Sequence, residues 1–170
     1  MLDSRDSQGD VDLREPEFPV SRRAIAWWAL RSLLAWGSIL TALIVVAVVW
    51  PSARVWLWVP IGVVGVVVIA TVGLQPWWRY RVHRWEVSRE ATYARTGWLV
   101  VEWRVSPTSR IQTVDAVRGP LEQLMGLATL RVTTASSSGA VRIVGLEHTV
   151  AQEAATRLAR IADVDEGDAT

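Results

Sequence analysis

The sequence contains no cysteine and no lysine, and its only histidines are His83 and His148. Without cysteine the chain cannot form a disulfide, a thiolate nucleophile or a cysteine-ligated zinc or iron–sulfur centre. All 18 basic residues are arginine, and 17 acidic residues leave a formal net charge of +1. So balanced a charge argues against nucleic acid as a partner, because nucleic-acid binders present a broad basic field.

Motifs that carry catalysis are also missing. The chain has no phosphate-binding glycine loop, no His-Glu-x-x-His and no Gly-x-Ser-x-Gly. Asp115 has no second carboxylate close to it in the sequence with which it could form an acid–base pair. We therefore predict that the protein is not an enzyme, with no catalytic, cofactor-binding or metal-binding residue.

Two long apolar runs dominate the first half of the chain. Residues 32–50 and 55–75 contain no charged side chain. Residues 29–50 would make a helix about 33 Å long, which is enough to cross a bilayer. Because only residues 51–54 separate the runs, we predict an antiparallel transmembrane hairpin over residues 25–78, with spans at about 29–50 and 55–75. A buried hairpin in a soluble protein is disfavoured, since so small a chain has little with which to cover it.

Arginine counts predict the orientation of the hairpin. Eight arginines flank its outer ends and Arg54 alone lies in the turn, so both termini are expected in the cytoplasm, with the chain as a multi-pass protein of the cytoplasmic (inner) membrane. Tryptophans cluster near the predicted span ends, where we interpret them as head-group anchors. These anchors are Trp27, Trp28, Trp50, Trp56, Trp58, Trp77 and Trp78.

The segments on either side of the hairpin differ in character. Residues 1–24 are predicted to be a flexible cytoplasmic leader and residues 163–170 an acidic disordered tail, because both are poor in apolar side chains. The length and acidity of the leader, and the second span that follows, argue against a cleaved signal peptide. Residues 79–162 are predicted to form a small soluble domain.

Period-two patterning predicts that this domain is mainly β. Leu99, Val101, Trp103 and Val105 alternate with Val100, Glu102 and Arg104, and the pattern indicates a strand with one face toward a core. We expect a partly open barrel or sandwich of about six to seven strands, followed by an amphipathic C-terminal helix from Thr149. The strands are predicted at residues 80–87, 92–95, 99–105, 111–118, 130–134 and 141–144.

Several short segments of this domain resemble bacterial pleckstrin-homology-like membrane proteins of the YdbS type. The matching residues are Tyr80-Arg81-Val82 leading to Trp85, Arg95-Thr96-Gly97, residues 109–114, the distinctive strip 119–128, and Gly145-Leu146. Members of this family commonly carry two membrane helices before the domain. The resemblance implies a membrane-tethered cytosolic domain that binds proteins or lipid head groups, often encoded with a larger relative that has several such domains.

Two functional hypotheses follow. The first is a non-enzymatic, membrane-anchored subunit of a membrane complex, whose domain binds a membrane-protein partner, such as that larger relative. The second is a binder of anionic lipid head groups through Arg79, Arg81 and Arg84, which alternate with aromatic residues just after the second span. The same arginines would also be explained as topology determinants, and strip 119–128 as scaffold or as a binding loop. Self-association into a homo-oligomer stays open, and a transporter is disfavoured because the spans lack intramembrane charge.

Overall fold

The computed structural model describes residues 15–134 and 140–167, and the side chains through residue 162. Within these residues two long helices precede a β-rich domain, and a helix follows its last strand. The helices are α1 (Arg23–Val49), α2 (Pro51–Val82), α3 (Pro120–Met125) and α4 (His148–Gly167). The strands are β1 (Phe18–Pro19), β2 (Arg84–Val87), β3 (Ala91–Gly97), β4 (Val101–Pro107), β5 (Ile111–Val117), β6 (Leu127–Thr134) and β7 (Val141–Glu147).

Helices α1 and α2 form a hairpin whose apolar surface is exposed. Each contains an 18-residue window of mean hydropathy 2.4, of which 6% is buried in α1 and none in α2. Both helices therefore have the length and composition to cross a membrane. The turn between them is closed by Arg54, whose Nε donates a hydrogen bond to the Ala47 carbonyl at 3.2 Å.

The domain consists of two antiparallel sheets, ordered β1-β2-β3-β4 and β5-β6-β7, and they do not close into a barrel. This confirms the predicted open, mainly β architecture with a C-terminal helix. The first predicted strand begins too early, because the chain is still helical through Val82 and the His83 amide bonds to the Arg79 carbonyl. Helix α3 ends at Gly126, whose φ of +68° allows the chain to turn sharply into β6.

The hydrophobic core extends beyond the predicted limits of the domain. Leu127, Leu130, Ile143 and Leu158 are fully buried between the sheets and α4. The same cluster contains residues from the predicted leader and from the start of α1, namely Val20, Ala24, Trp27 and Trp28.

Part of the segment predicted to be a flexible leader is folded in the structure. Phe18 and Pro19 pair with Trp85 and Arg84 of β2, and Val20 is buried. Residues 1–14 and 168–170 of the predicted leader and tail lie outside the described residues, and α4 continues through residue 167. The domain thus includes residues 15–28, because apolar side chains there complete its core.

Strand β4 alternates as predicted, but with the opposite face toward the interior. Ser106 is buried, whereas Val101 and Trp103 are 38% and 40% exposed. The inner side is occupied by Glu102 and Arg104, which line a cleft against β7. Period-two patterning located residues 101–105 of the strand, whereas Leu99 and Val100, predicted to belong to it, lie in the turn before β4. The apolar face of the strand points away from the core.

Candidate functional site

The start of α1 is seated directly on strand β7. The Ser21 amide donates to the Gly145 carbonyl at 2.9 Å, and Ala24 packs against Gly145. Gly145 has a φ of +79°, and a Cβ there would lie 2.6 Å from the Ala24 Cβ. Glycine is therefore required both by the backbone conformation and by the close approach of the helix. The sequence showed Gly145 only as part of a resembling segment.

Strip 119–128 has a structural role in the described part of the chain. The buried Glu122 carboxylate accepts hydrogen bonds from the Gly119 amide at 2.6 Å and from the Thr129 hydroxyl at 2.7 Å. These bonds fix α3 to the beginning of β6. Arg23 of α1 lies beside Gly126, so the strip also contacts the first membrane helix.

A cluster of Arg79, Trp28 and His83 joins both membrane helices to the domain. The Arg79 guanidinium carbon lies 4.6 Å from the centroid of the Trp28 ring, and the His83 ring packs on the same indole at 5.1 Å. Trp28 belongs to α1, Arg79 to α2, and His83 connects α2 to β2. We call these three residues the joint cluster.

Hydrogen bonds define the protonation state of His83. Its Nδ1 lies 2.9 Å from the Arg79 carbonyl, and its Nε2 lies 3.4 Å from the Arg79 Nε–H. The ring is thus a donor at Nδ1 and an acceptor at Nε2, which is the neutral form. Burial and, secondarily, the positive charge of Arg79 lower the pKa of His83 from 6.5 to about 4, against the opposing effect of the backbone hydrogen bond. His83 is a packing residue of the joint cluster at neutral pH.

The three arginines predicted to bind head groups have different surroundings. Arg79 is engaged in the joint cluster, and Arg84 lies in β2 opposite Pro19 and Arg95. Arg81 is exposed, with its guanidinium carbon 3.9 Å from the centroid of the Trp77 ring. Of the three, Arg81 is therefore the one most available to an anion.

The predicted tryptophan anchors fall into two groups. Trp27 and Trp28 are 8% and 4% exposed, because they contribute to the core of the domain. The other five have at least half of their surface exposed along or at the ends of the hairpin. They are Trp50, Trp56, Trp58, Trp77 and Trp78.

Large apolar side chains are also exposed on the domain, in two adjoining regions. The apolar tip is the β3–β4 turn, Trp98-Leu99-Val100. The apolar strip is the outward face of β4, comprising exposed Val101 and Trp103 and half-buried Val105. Trp103 is flanked by Arg95, whose guanidinium carbon lies 5.1 Å from its ring centroid. Three consecutive apolar residues after the turn signal Thr96-Gly97 could have indicated the tip from the sequence.

The remaining polar candidates do not form a reactive group. Among the described residues, no three histidine, aspartate or glutamate side chains are grouped as metal ligands. Asp115 lies exposed in β5, and His148 lies at the start of α4.

These features, two apolar helices fixed to an open two-sheet domain with a C-terminal helix, define a membrane protein with a pleckstrin-homology-like domain. The family model "Bacterial PH domain" matches residues 29–162, and the chain belongs to that family. The chain is also similar to "UPF0699 transmembrane protein YdbS" of Bacillus subtilis (strain 168), with 30% identity over 161 residues that cover 89% of this chain and 98% of that protein. No solved structure is significantly similar to it.

Proposed function

We propose that the protein is a non-enzymatic binding module of the cytoplasmic membrane, with both termini in the cytoplasm, and that its domain binds a membrane-protein partner. The observation that supports this most is the apolar strip. It lies on the end strand of a sheet and exposes Val101 and Trp103. Exposed aromatic side chains are frequent energetic centres of protein interfaces.

The free edge of β4 adds a second means of recognition. In the described sheet β4 pairs with β3 alone, so alternate residues of this seven-residue strand direct their backbone donors and acceptors to its other edge. A strand of a partner can add to such an edge while its side chains contact Trp103. The seat of α1 on β7 and the joint cluster hold this edge in a constant position relative to the hairpin. A larger relative with several similar domains, anchored in the same membrane, would hold its strands at the same distance from the membrane as β4.

The test is purification of the full-length chain from its native membrane in mild detergent, with Trp103→Ala compared with the parent. We expect a stoichiometric membrane protein with the parent and at least a tenfold loss of that protein with the variant, since an interface tryptophan is worth about 2 kcal/mol or more. Val117→Ala is the matched control, because Val117 is 40% exposed, as Trp103 is, but lies on β5 of the other sheet. Recovery of the chain alone, or equal capture by both variants, would contradict the proposal.

A second candidate function, binding of anionic head groups, is favoured by Arg81. Its exposed guanidinium stacks on Trp77 at the end of the lipid-accessible hairpin. Each cation near an anionic leaflet contributes about 1 kcal/mol. We expect Arg81→Gln to reduce the anionic lipid that co-purifies with the full-length chain, whereas Arg110→Gln, at the exposed turn after β4, should not. Equal lipid retention in both would argue against this function.

A further inference from the structure

The apolar tip differs from an ordinary β-turn in its side chains. Trp98, Leu99 and Val100 are 41%, 77% and 80% exposed, at a position where turns normally carry polar residues. Exposed consecutive apolar residues are unfavourable in water and typically mark a surface that another apolar phase covers.

The chain path places this tip beside the end of the second membrane helix. The chain leaves α2 at Val82, β2 leads away from the hairpin, and β3 returns antiparallel to it. Arg95 lies opposite Arg84, so Trp98, three residues further, lies about 10 Å from that pair along the direction in which β3 returns toward the hairpin. Trp78 of α2 lies four residues before Val82, about 6 Å back along the helix.

A direct contact fixes the position of the tip along α2. The Trp78 Nε1 donates a hydrogen bond to the Trp98 carbonyl at 3.1 Å. Trp78 is 54% exposed and follows Leu74 and Trp77, which are 72% and 50% exposed on the same helix. The surface of the tip is therefore continuous with the lipid-accessible surface of α2.

We propose that the apolar tip inserts into the leaflet that faces the domain, with Leu99 and Val100 among the acyl chains and Trp98 beside Trp78 at the head-group level. The protein would then contact the bilayer at a third point besides its two spans. This contact would hold the domain against the membrane and limit the directions from which a partner could approach β4.

The charges around the tip agree with a lipid surface as its occupant. Residues 96–101 contain no charged side chain. Arg81 and Arg95 lie on the side of the tip that faces the domain. The first carboxylate beyond the tip, Glu102, is neutralised by Arg104 at 2.7 Å. Apolar side chains in front of arginines suit insertion beneath anionic head groups.

The absence of cysteine makes a clean test available in the full-length chain. Leu99→Cys and Val100→Cys replace exposed residues and can each be labelled with bimane. Ser109→Cys is the matched control, since Ser109 is exposed in the turn at the opposite end of β4. Each labelled protein is placed in nanodiscs of phosphatidylcholine and phosphatidylglycerol that hold one copy, so that a second copy cannot cover the tip.

Two quenchers of bimane fluorescence, a nitroxide on the upper acyl chain and aqueous iodide, should have opposite effects at the tip and at the control position. We expect lipid-borne quenching several-fold stronger at residues 99 and 100 than at 109, and iodide quenching several-fold weaker. Strong iodide quenching at the tip, or shielding from iodide without lipid-borne quenching, would overturn the proposal. The nanodiscs contain no protein partner, so this quenching result does not depend on whether Trp103→Ala loses a partner. Failure of the proposed function is therefore distinguishable from failure of this inference.

Discussion

Two Trp-Trp pairs stand at equivalent ends of the two membrane helices, yet their environments are opposite. Trp27-Trp28, near the beginning of α1, is 8% and 4% exposed, whereas Trp77-Trp78, near the end of α2, is 50% and 54% exposed. Both pairs match the sequence pattern of an interfacial anchor. The difference arises because α1 begins inside the domain, where Val20 and Ala24 join the same core.

This comparison shows that the tryptophan pair of α1 is packed in the core of the domain, whereas the tryptophan pair of α2 lies at its surface. The first pair contributes packing to the fold, while the second pair is half exposed and bonds to the apolar tip through Trp78. A short polar segment before a membrane helix can therefore hide an element of the folded domain.

The largest expected effect is at Trp28. Trp28→Ala should lower the free energy of unfolding of the domain by about 3 to 5 kcal/mol, since it empties a core site. Trp78→Ala is the matched change in the exposed pair and should cost about 1 kcal/mol or less, mainly through the bond to Trp98. Denaturant unfolding of the full-length chain in detergent, followed by circular dichroism, measures both. Equal losses would remove the distinction between the pairs.

A substitution at the seat of α1 should weaken the packing of the buried pair from strand β7, where a Cβ on Gly145 would lie 3.7 Å from Trp28 Cζ2. Gly145→Ala places a methyl group 2.6 Å from the Ala24 Cβ at a φ of +79°. We expect a loss of about 2 to 4 kcal/mol from backbone strain and overpacking together. Gly65→Ala, in α2, is the control because a Cβ there meets no atom within 4 Å. A neutral effect of Gly145→Ala would mean that α1 is not closely held.

Acid should loosen the joint cluster through His83. The pKa of His83 is about 4 in the folded chain against 6.5 for the free side chain, so the unfolded chain binds the proton more readily between these values. The contribution of His83 to the free energy of unfolding is therefore complete above pH 6.5. It falls by about 3 kcal/mol as the pH drops to 4.

Comparison with His83→Asn isolates this effect from that of the carboxylates. Asparagine can place its amide N–H where Nδ1 donates to the Arg79 carbonyl, but it does not titrate. The parent should therefore lose more stability than the variant between pH 6.5 and 4, as measured by denaturant unfolding at each pH. Parallel pH curves for the two proteins would show that His83 does not couple folding to pH.

The general fold was predictable because its signals are local. Uncharged runs revealed the helices, and period-two patterning with Gly and Pro turns revealed most strands. The sequence did not show which side of β4 faces inward, since alternation specifies two faces and only the opposing sheet decides which is covered. It likewise did not show that Val20 belongs to the core, because a two-residue strand carries too little pattern.

The candidate site was less predictable because it depends on contacts between distant segments. The approach of Ala24 to Gly145 and the bond between Trp78 and Trp98 link residues far apart in sequence. Arg79, Arg81 and Arg84 looked equivalent as a basic cluster, and packing around Trp28 separated Arg79 from the others. Residues of the same type take different roles according to their exposure and their contacts. Both of these are properties of the folded chain.

The smallest expected effect concerns the arginines that stack on the two pairs. Arg81 lies nearer to Trp77 than Arg79 does to Trp28, at 3.9 Å against 4.6 Å. Distance alone would make the Arg81 contact the stronger one, but water and salt screen an exposed pair. Arg81→Ala should therefore cost only about 0.5 to 1 kcal/mol of folding stability, measured by denaturant unfolding in detergent. Arg79→Ala should cost more, since it also removes a donor to His83. If Arg81→Ala proved the more damaging change, solvent exposure would not be what separates the two pairs.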